Sequence, residues 1–145
     1  TVFGLSHRMR FDLLVNDLVK TAVTTRSLTI FEGHFRRNYI HVRDVGQAII
    51  LAIQNPESFR GEIFNVGLSS ANLSKLELAN LIAELVGSVE IYLSDTGKDP
   101  DKRDYLVSNK KIESLGFMPG FSVEDGVLEI SKYLAVAKKY SNGNV

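Results

Sequence analysis

The chain has 145 residues, enough for one compact domain, and its 44% apolar and 23% charged residues are ordinary for a globular protein. Seventeen basic side chains balance seventeen acidic ones, so there is no bulk attraction to nucleic acid or to an anionic membrane, and no apolar run nears the roughly 20 residues of a membrane span. The absence of Cys excludes disulfides, thiolate metal sites and cysteine nucleophiles and leans toward a reducing, cytoplasmic location; three scattered His give zinc hydrolysis no support.

The opening residues Thr1-Val2-Phe3-Gly4 read as an apolar strand with no Met and no turn before it, which points to a further part upstream. Apolar residues at helical spacing predict a helix over 9–24 that buries Phe11, Leu14, Val15, Leu18, Val19, Ala22 and Val23. A β-prone run follows at 28–31, ended by Gly33, and a second strand at 38–42. Asp44 and Gln47 have capping-box spacing for a helix that buries Val45, Ala48, Ile49, Ala52 and Ile53 and stops before Pro56. A buried strand is expected at 63–66, closed by Gly67.

Ser74 with Glu77 opens the next helix, whose buried face holds Leu78, Leu81, Ile82 and Leu85 and which Gly87 ends. A strand at 89–93, a polar turn-rich loop at 94–103, a short helix at 108–115 and a last helix capped by Ser122 and Asp125 complete the pattern. Residues 1–140 thus read as one α/β unit of mixed short strands and helices, with 141–145 as a frayed tail.

Two segments could carry chemistry. In residues 36–44 a strand would present Arg37, Tyr39 and His41 on one face, where a guanidinium could fork a phosphate. The same residues would equally serve as a solvated basic patch, with His41 a hydrogen-bonded structural histidine. In residues 98–104 mixed charges could grip a polar ligand, or form ordinary solvated surface; EF-hand spacing is absent. His7, Arg8 and Arg10 suit either phosphate contacts or surface. No G-x-G-x-x-G occurs.

In order and spacing these pieces resemble the C-terminal half of the extended short-chain dehydrogenases/reductases, the NAD-dependent epimerase/dehydratase family. Thr1-Val2-Phe3-Gly4-Leu5 is similar to that family's N-V-Y-G-P. Residues 28–33 and 37–45 resemble L-x-I-F-G-x-G and R-D-Y-I-H-V-x-D-V, and Phe64-Asn65-Val66-Gly67 resembles Y-N-V-G. Ser108-Asn109-Lys110-Lys111, Leu115-Gly116-Phe117-Met118-Pro119 and Glu124-Asp125-Gly126 resemble D-x-x-K, L-G-W-x-P and E-x-G. Glu32, His34, Thr1 and Lys98 depart from the family's usual residues.

The resemblance implies the substrate-binding part of a Rossmann-type fold, with the glycine-rich NAD loop and the catalytic Tyr and Lys upstream. It implies binding of a nucleotide-diphosphate sugar for an NAD- or NADP-dependent epimerase, dehydratase or reductase, homodimeric when whole. Arg37 matches the diphosphate-gripping arginine, and Thr29 and Phe31 match the strand bordering the nucleobase. Lys98, Asp101 and Arg103 fall near ribose and phosphate contacts, and Asp12 or Asn16 near a phosphate-contacting Asn. Thr1 and Val2 fall beside the nicotinamide. The alternatives are an enzyme of this fold acting on a non-nucleotide alcohol or ketone, and a non-catalytic ligand sensor.

Overall fold

The computed structural model describes residues 1–94 and 103–141, without the side chains of 138–141. In chain order the elements are β1 (Val2–Phe3), α1 (Leu14–Thr25), β2 (Ser27–Phe31), β3 (Arg36–Asn38), β4 (Ile40–His41), α2 (Val42–Gln54) and α3 (Pro56–Phe59). There follow β5 (Asn72–Ser74), α4 (Lys75–Val86), β6 (Glu90–Ser94), α5 (Lys110–Glu113) and α6 (Val123–Ser141). The strands pair two by two: β1 with β4 and β2 with β6 in parallel, and β3 with β5 antiparallel. The α/β expectation holds.

Helices α1, α4 and α6 pack against one another over β2. Their shared core holds Phe3, Val15, Val19, Leu28, Tyr39, Leu78, Ile82, Val127 and Ile130, each almost wholly buried. Burial of one such aliphatic side chain contributes about 1.5–3 kcal/mol. A second, smaller core gathers Ile40, Ala48, Ile112 and Phe117 beside α2.

The caps explain where several helices begin. Ser74 and Glu77 form the expected reciprocal box at α4, and Ser122 and Asp125 exchange the same bonds before α6. The helix expected from residue 9 starts only at Leu14. Residues 10–13 make a turn instead, because Asn16 donates to the Arg10 carbonyl at 3.1 Å and Asp12 is bonded back to Arg10.

The predicted strand at 38–42 is two strands. At Tyr39 the backbone bonds to the 68–71 turn, and the chain changes partner from β5 to β1. Helix α2 starts at Val42, not after Asp44. His41 is its N-cap and accepts from the Arg43 amide through Nδ1, while buried Asp44 accepts from the Gly120 and Phe121 amides at 2.8 and 3.1 Å.

On α2, Ala48 is buried as expected, but Ile49 and Ile53 are 57% and 73% exposed. Residues 63–66 form no strand: Ile63 is 87% exposed and no described strand runs beside it, while Phe64 packs on Phe59. The helix expected at 108–115 is the single turn of α5, and residues 142–145 lie outside the described residues.

Candidate functional site

A cleft of about 720 Å³ opens between the start of α1, β2 and β3. The apolar lining comes from Leu13, Leu14, Leu18, Ile30 and Phe31. The polar lining comes from Thr1, Asp12, Asp17, Thr29, Arg37, Lys75, Arg103 and Tyr105, and Val2 completes the rim.

Arg37 belongs to this lining and is 4% exposed although it carries a permanent charge. It reaches the cleft from β3, where its cross-strand partner is Leu73. One of its nitrogens donates to the Arg36 carbonyl at 2.9 Å, and its guanidinium carbon lies 5.3 Å from the centre of the Tyr105 ring. Such stacking fixes the plane of the guanidinium.

Tyr105 is held there by the chain's return against β3. The Arg36 amide donates to Asp104 at 2.8 Å, the Tyr105 amide reaches the Arg36 carbonyl, and Asn72 bonds both backbone groups of Val107. The same return sets Arg103 beside the cleft. The Thr1 nitrogen donates to the Asn38 carbonyl at 2.6 Å, which holds the start of the chain against β3.

The carboxyl of Asp12 is held below its usual range by the Arg10 guanidinium bonded to it. Buried Tyr39 lies behind Arg37; its hydroxyl finds no hydrogen-bond partner among the described residues, and burial pushes its pKa well up. It stays protonated and suits no acid–base role near neutrality.

Of the residues singled out in the sequence, Thr1, Val2, Asp12, Thr29, Phe31, Arg37 and Arg103 come together around this one cleft. Asn16 stands apart: it is buried, accepts from the Gly4 amide, donates to the Arg10 carbonyl and does not line the cleft. Lys98 and Asp101 lie outside the described residues.

His41 is not on the cleft. It is buried between Phe3 and Phe121, with Nε2 3.0 Å from Glu129. Lys75, Tyr105 and Asp17 line the cleft although the sequence pattern did not single them out. Among the described residues no cluster of His, Asp or Glu could hold a metal, and no helix is long and apolar enough to cross a membrane.

Residues 1–67 match the model of the NAD dependent epimerase/dehydratase family. The chain is 35% identical over 111 residues to UDP-D-apiose/UDP-D-xylose synthase 2 of Arabidopsis thaliana, covering 64% of this chain and 28% of that protein. It is 30% identical over 123 residues to the low-salt glycan biosynthesis protein Agl12 of Haloferax volcanii, covering 83% and 38%.

A UDP-glucuronic acid 4-epimerase of Bacillus cereus, solved with UDP-glucuronic acid and NAD, shares the fold at a TM-score of 0.74 and 22% identity over 94% of this chain and 43% of its own. The chain therefore spans well under half the length of each of these proteins. Through residues 1–67, then, this chain belongs to the NAD dependent epimerase/dehydratase family, and its remaining described residues continue the fold shared with that epimerase.

Proposed function

We propose that the cleft binds the nucleoside-diphosphate part of a sugar nucleotide, and that the chain is the substrate-binding portion of an NAD(P)-dependent sugar-nucleotide epimerase, dehydratase or reductase. The observation that carries this reading is Arg37, a guanidinium 4% exposed, braced by Tyr105 and lining a cleft of ligand size. A planar fork of donors suits phosphate oxygens, and a neutral alcohol or ketone would need no such group.

Thr29 and Phe31 on β2 offer a backbone edge and an aromatic wall for a base. Arg103, with Lys98 and Asp101 of the neighbouring sequence and Asp12 on the opposite side, is assigned to ribose and phosphate on the family resemblance. The names of the relatives, which speak of UDP-sugars, support the same class.

NAD or NADP would supply the hydride chemistry when bound. The residues here fit only its edge. Thr1 and Val2 border the cleft, while the chain has no G-x-G-x-x-G and no Tyr followed four residues on by Lys. These residues bind and orient; the acid–base pair belongs to the rest of the protein, and the 145 residues alone are expected to bind without turnover. The whole protein is read as a cytoplasmic homodimer.

Calorimetric titration with UDP-glucose and a GDP-sugar, on the chain and on Arg37→Ala, tests the reading. Loss of a charge-assisted bond should weaken the better ligand about tenfold to a hundredfold. Equal affinity in the two proteins would count against it.

A further inference from the structure

We propose that Asp17 makes this cleft select guanine over uracil by reading the 2-position of the base; this rests on the nucleotide-binding reading of the cleft. The start of α1 gives the lining Leu13, Leu14, Asp17 and Leu18, and β2 gives it Thr29, Ile30 and Phe31. Asp17 is thus a carboxylate set among leucines. Asp12, the other carboxylate of the lining, is bonded to Arg10. The exposed Asp17 side chain makes no hydrogen bond or ion pair among the described residues. In a cleft that takes a diphosphate such a group repels the phosphates. It favours a ligand only where the ligand brings N–H or O–H donors to it.

The ladder of β2 with β6 decides which backbone groups are left for a base. The Glu90 amide donates to the Arg26 carbonyl, so in this parallel register the backbone groups of Arg26, Leu28 and Ile30 face β6. Those of Thr29 and Phe31 face the other way, toward an edge on which no described strand pairs. A carbonyl and an amide on that edge match the N–H and C=O that uracil and guanine present alike, N3–H with O4 in the one and N1–H with O6 in the other. The edge alone therefore accepts either base. The two differ at the neighbouring C2, where guanine carries an amino group that donates and uracil a carbonyl that only accepts. A carboxylate at that position bonds the first with charge assistance and repels the second. A site built on such a bond rejects the analogue that lacks the donor.

The test is titration of the full chain, Asp17→Ala, Asp17→Asn and Arg37→Ala with GDP, IDP and UDP, with thermal melting run on each variant. Inosine diphosphate keeps the N–H and C=O of guanine and lacks only its amino group. The parent should bind GDP about tenfold to a hundredfold more tightly than IDP or UDP. Asp17→Ala should bring GDP down to the level of IDP while IDP itself moves less than about threefold, and Asp17→Asn, which keeps an acceptor without the charge, should fall between. The GDP-to-IDP ratio is the deciding quantity, since a loss of stability or of a contact to the shared ribose lowers all these affinities together. If the parent binds GDP and IDP equally, or Asp17→Ala leaves their ratio unchanged, while Arg37→Ala still weakens binding, Asp17 does not read the base and the inference fails with the cleft reading intact. If Arg37→Ala changes none of the affinities, the cleft reading falls and takes the inference with it.

Discussion

His41 and Glu129 tie β4 to α6 through one hydrogen bond whose direction the backbone decides. The Arg43 amide can only donate, so Nδ1 of His41 accepts, and in the neutral ring Nε2 carries the proton toward Glu129 3.0 Å away. Glu129 also accepts from the Leu5 amide and pairs with Arg43, so a single carboxylate joins the segment after β1, α2 and α6. Space there is fully used: a Cβ on Gly126 would stand 2.2 Å from the Phe3 ring, and one on Gly4 would stand 2.4 Å from His41.

Burial pushes the Glu129 carboxyl up, but the bonds from His41 and Leu5 and the charge of Arg43 outweigh it, and its pKa is lowered overall. A depressed carboxyl stabilises the fold above its unfolded value, ordinarily about 4.3, and that contribution is lost as pH falls through the folded value. Glu129→Gln should therefore cost about 1–2 kcal/mol near pH 7. It should also lose less stability than the parent as pH falls from about 5 to about 2 in paired thermal melts. Equal losses in the two proteins would show that the carboxylate is not coupled to folding.

At the scale of elements, α4 carries the clearest local signal. Ser74 accepts from the Glu77 amide and Glu77 from the Ser74 amide, and those bonds hold the Glu77 carboxyl below its usual range. Ser74→Ala should destabilise the chain by about 1 kcal/mol in equilibrium urea unfolding, whereas the same change at exposed Ser70 should be neutral.

Both capping boxes were legible in sequence because cap and partner lie three residues apart. Asp44 misled because its partners, the Gly120 and Phe121 amides, are more than seventy residues away, leaving His41 to cap α2. The start of α1 misled because apolar spacing continues through the 10–13 turn, and residues 63–66 because an apolar run does not say whether a strand lies beside it.

For the cleft the same division holds. Thr29, Phe31 and Arg37 lie in one short stretch whose order resembles a family pattern, so they could be read together. Lys75 and Tyr105 reach the cleft through the β3·β5 register and the return of residues 103–105, neither of which any local pattern reports.

For the molecule as a whole, the three-helix core and the ladders among the described residues bring apolar side chains and the cations Arg37, Lys75 and Arg103 into the lining of one cleft. That combination agrees with the reading carried by Arg37, since a base needs the first and a diphosphate the second. The most direct test is amide chemical-shift mapping of the isotopically labelled chain during titration with UDP-glucose. The account predicts saturable shifts centred on Thr29, Phe31, Arg37 and Tyr105, with little change on the exposed face of α2 at Ile49 and Ile53. Shifts confined to α2, or none at millimolar ligand, would contradict it.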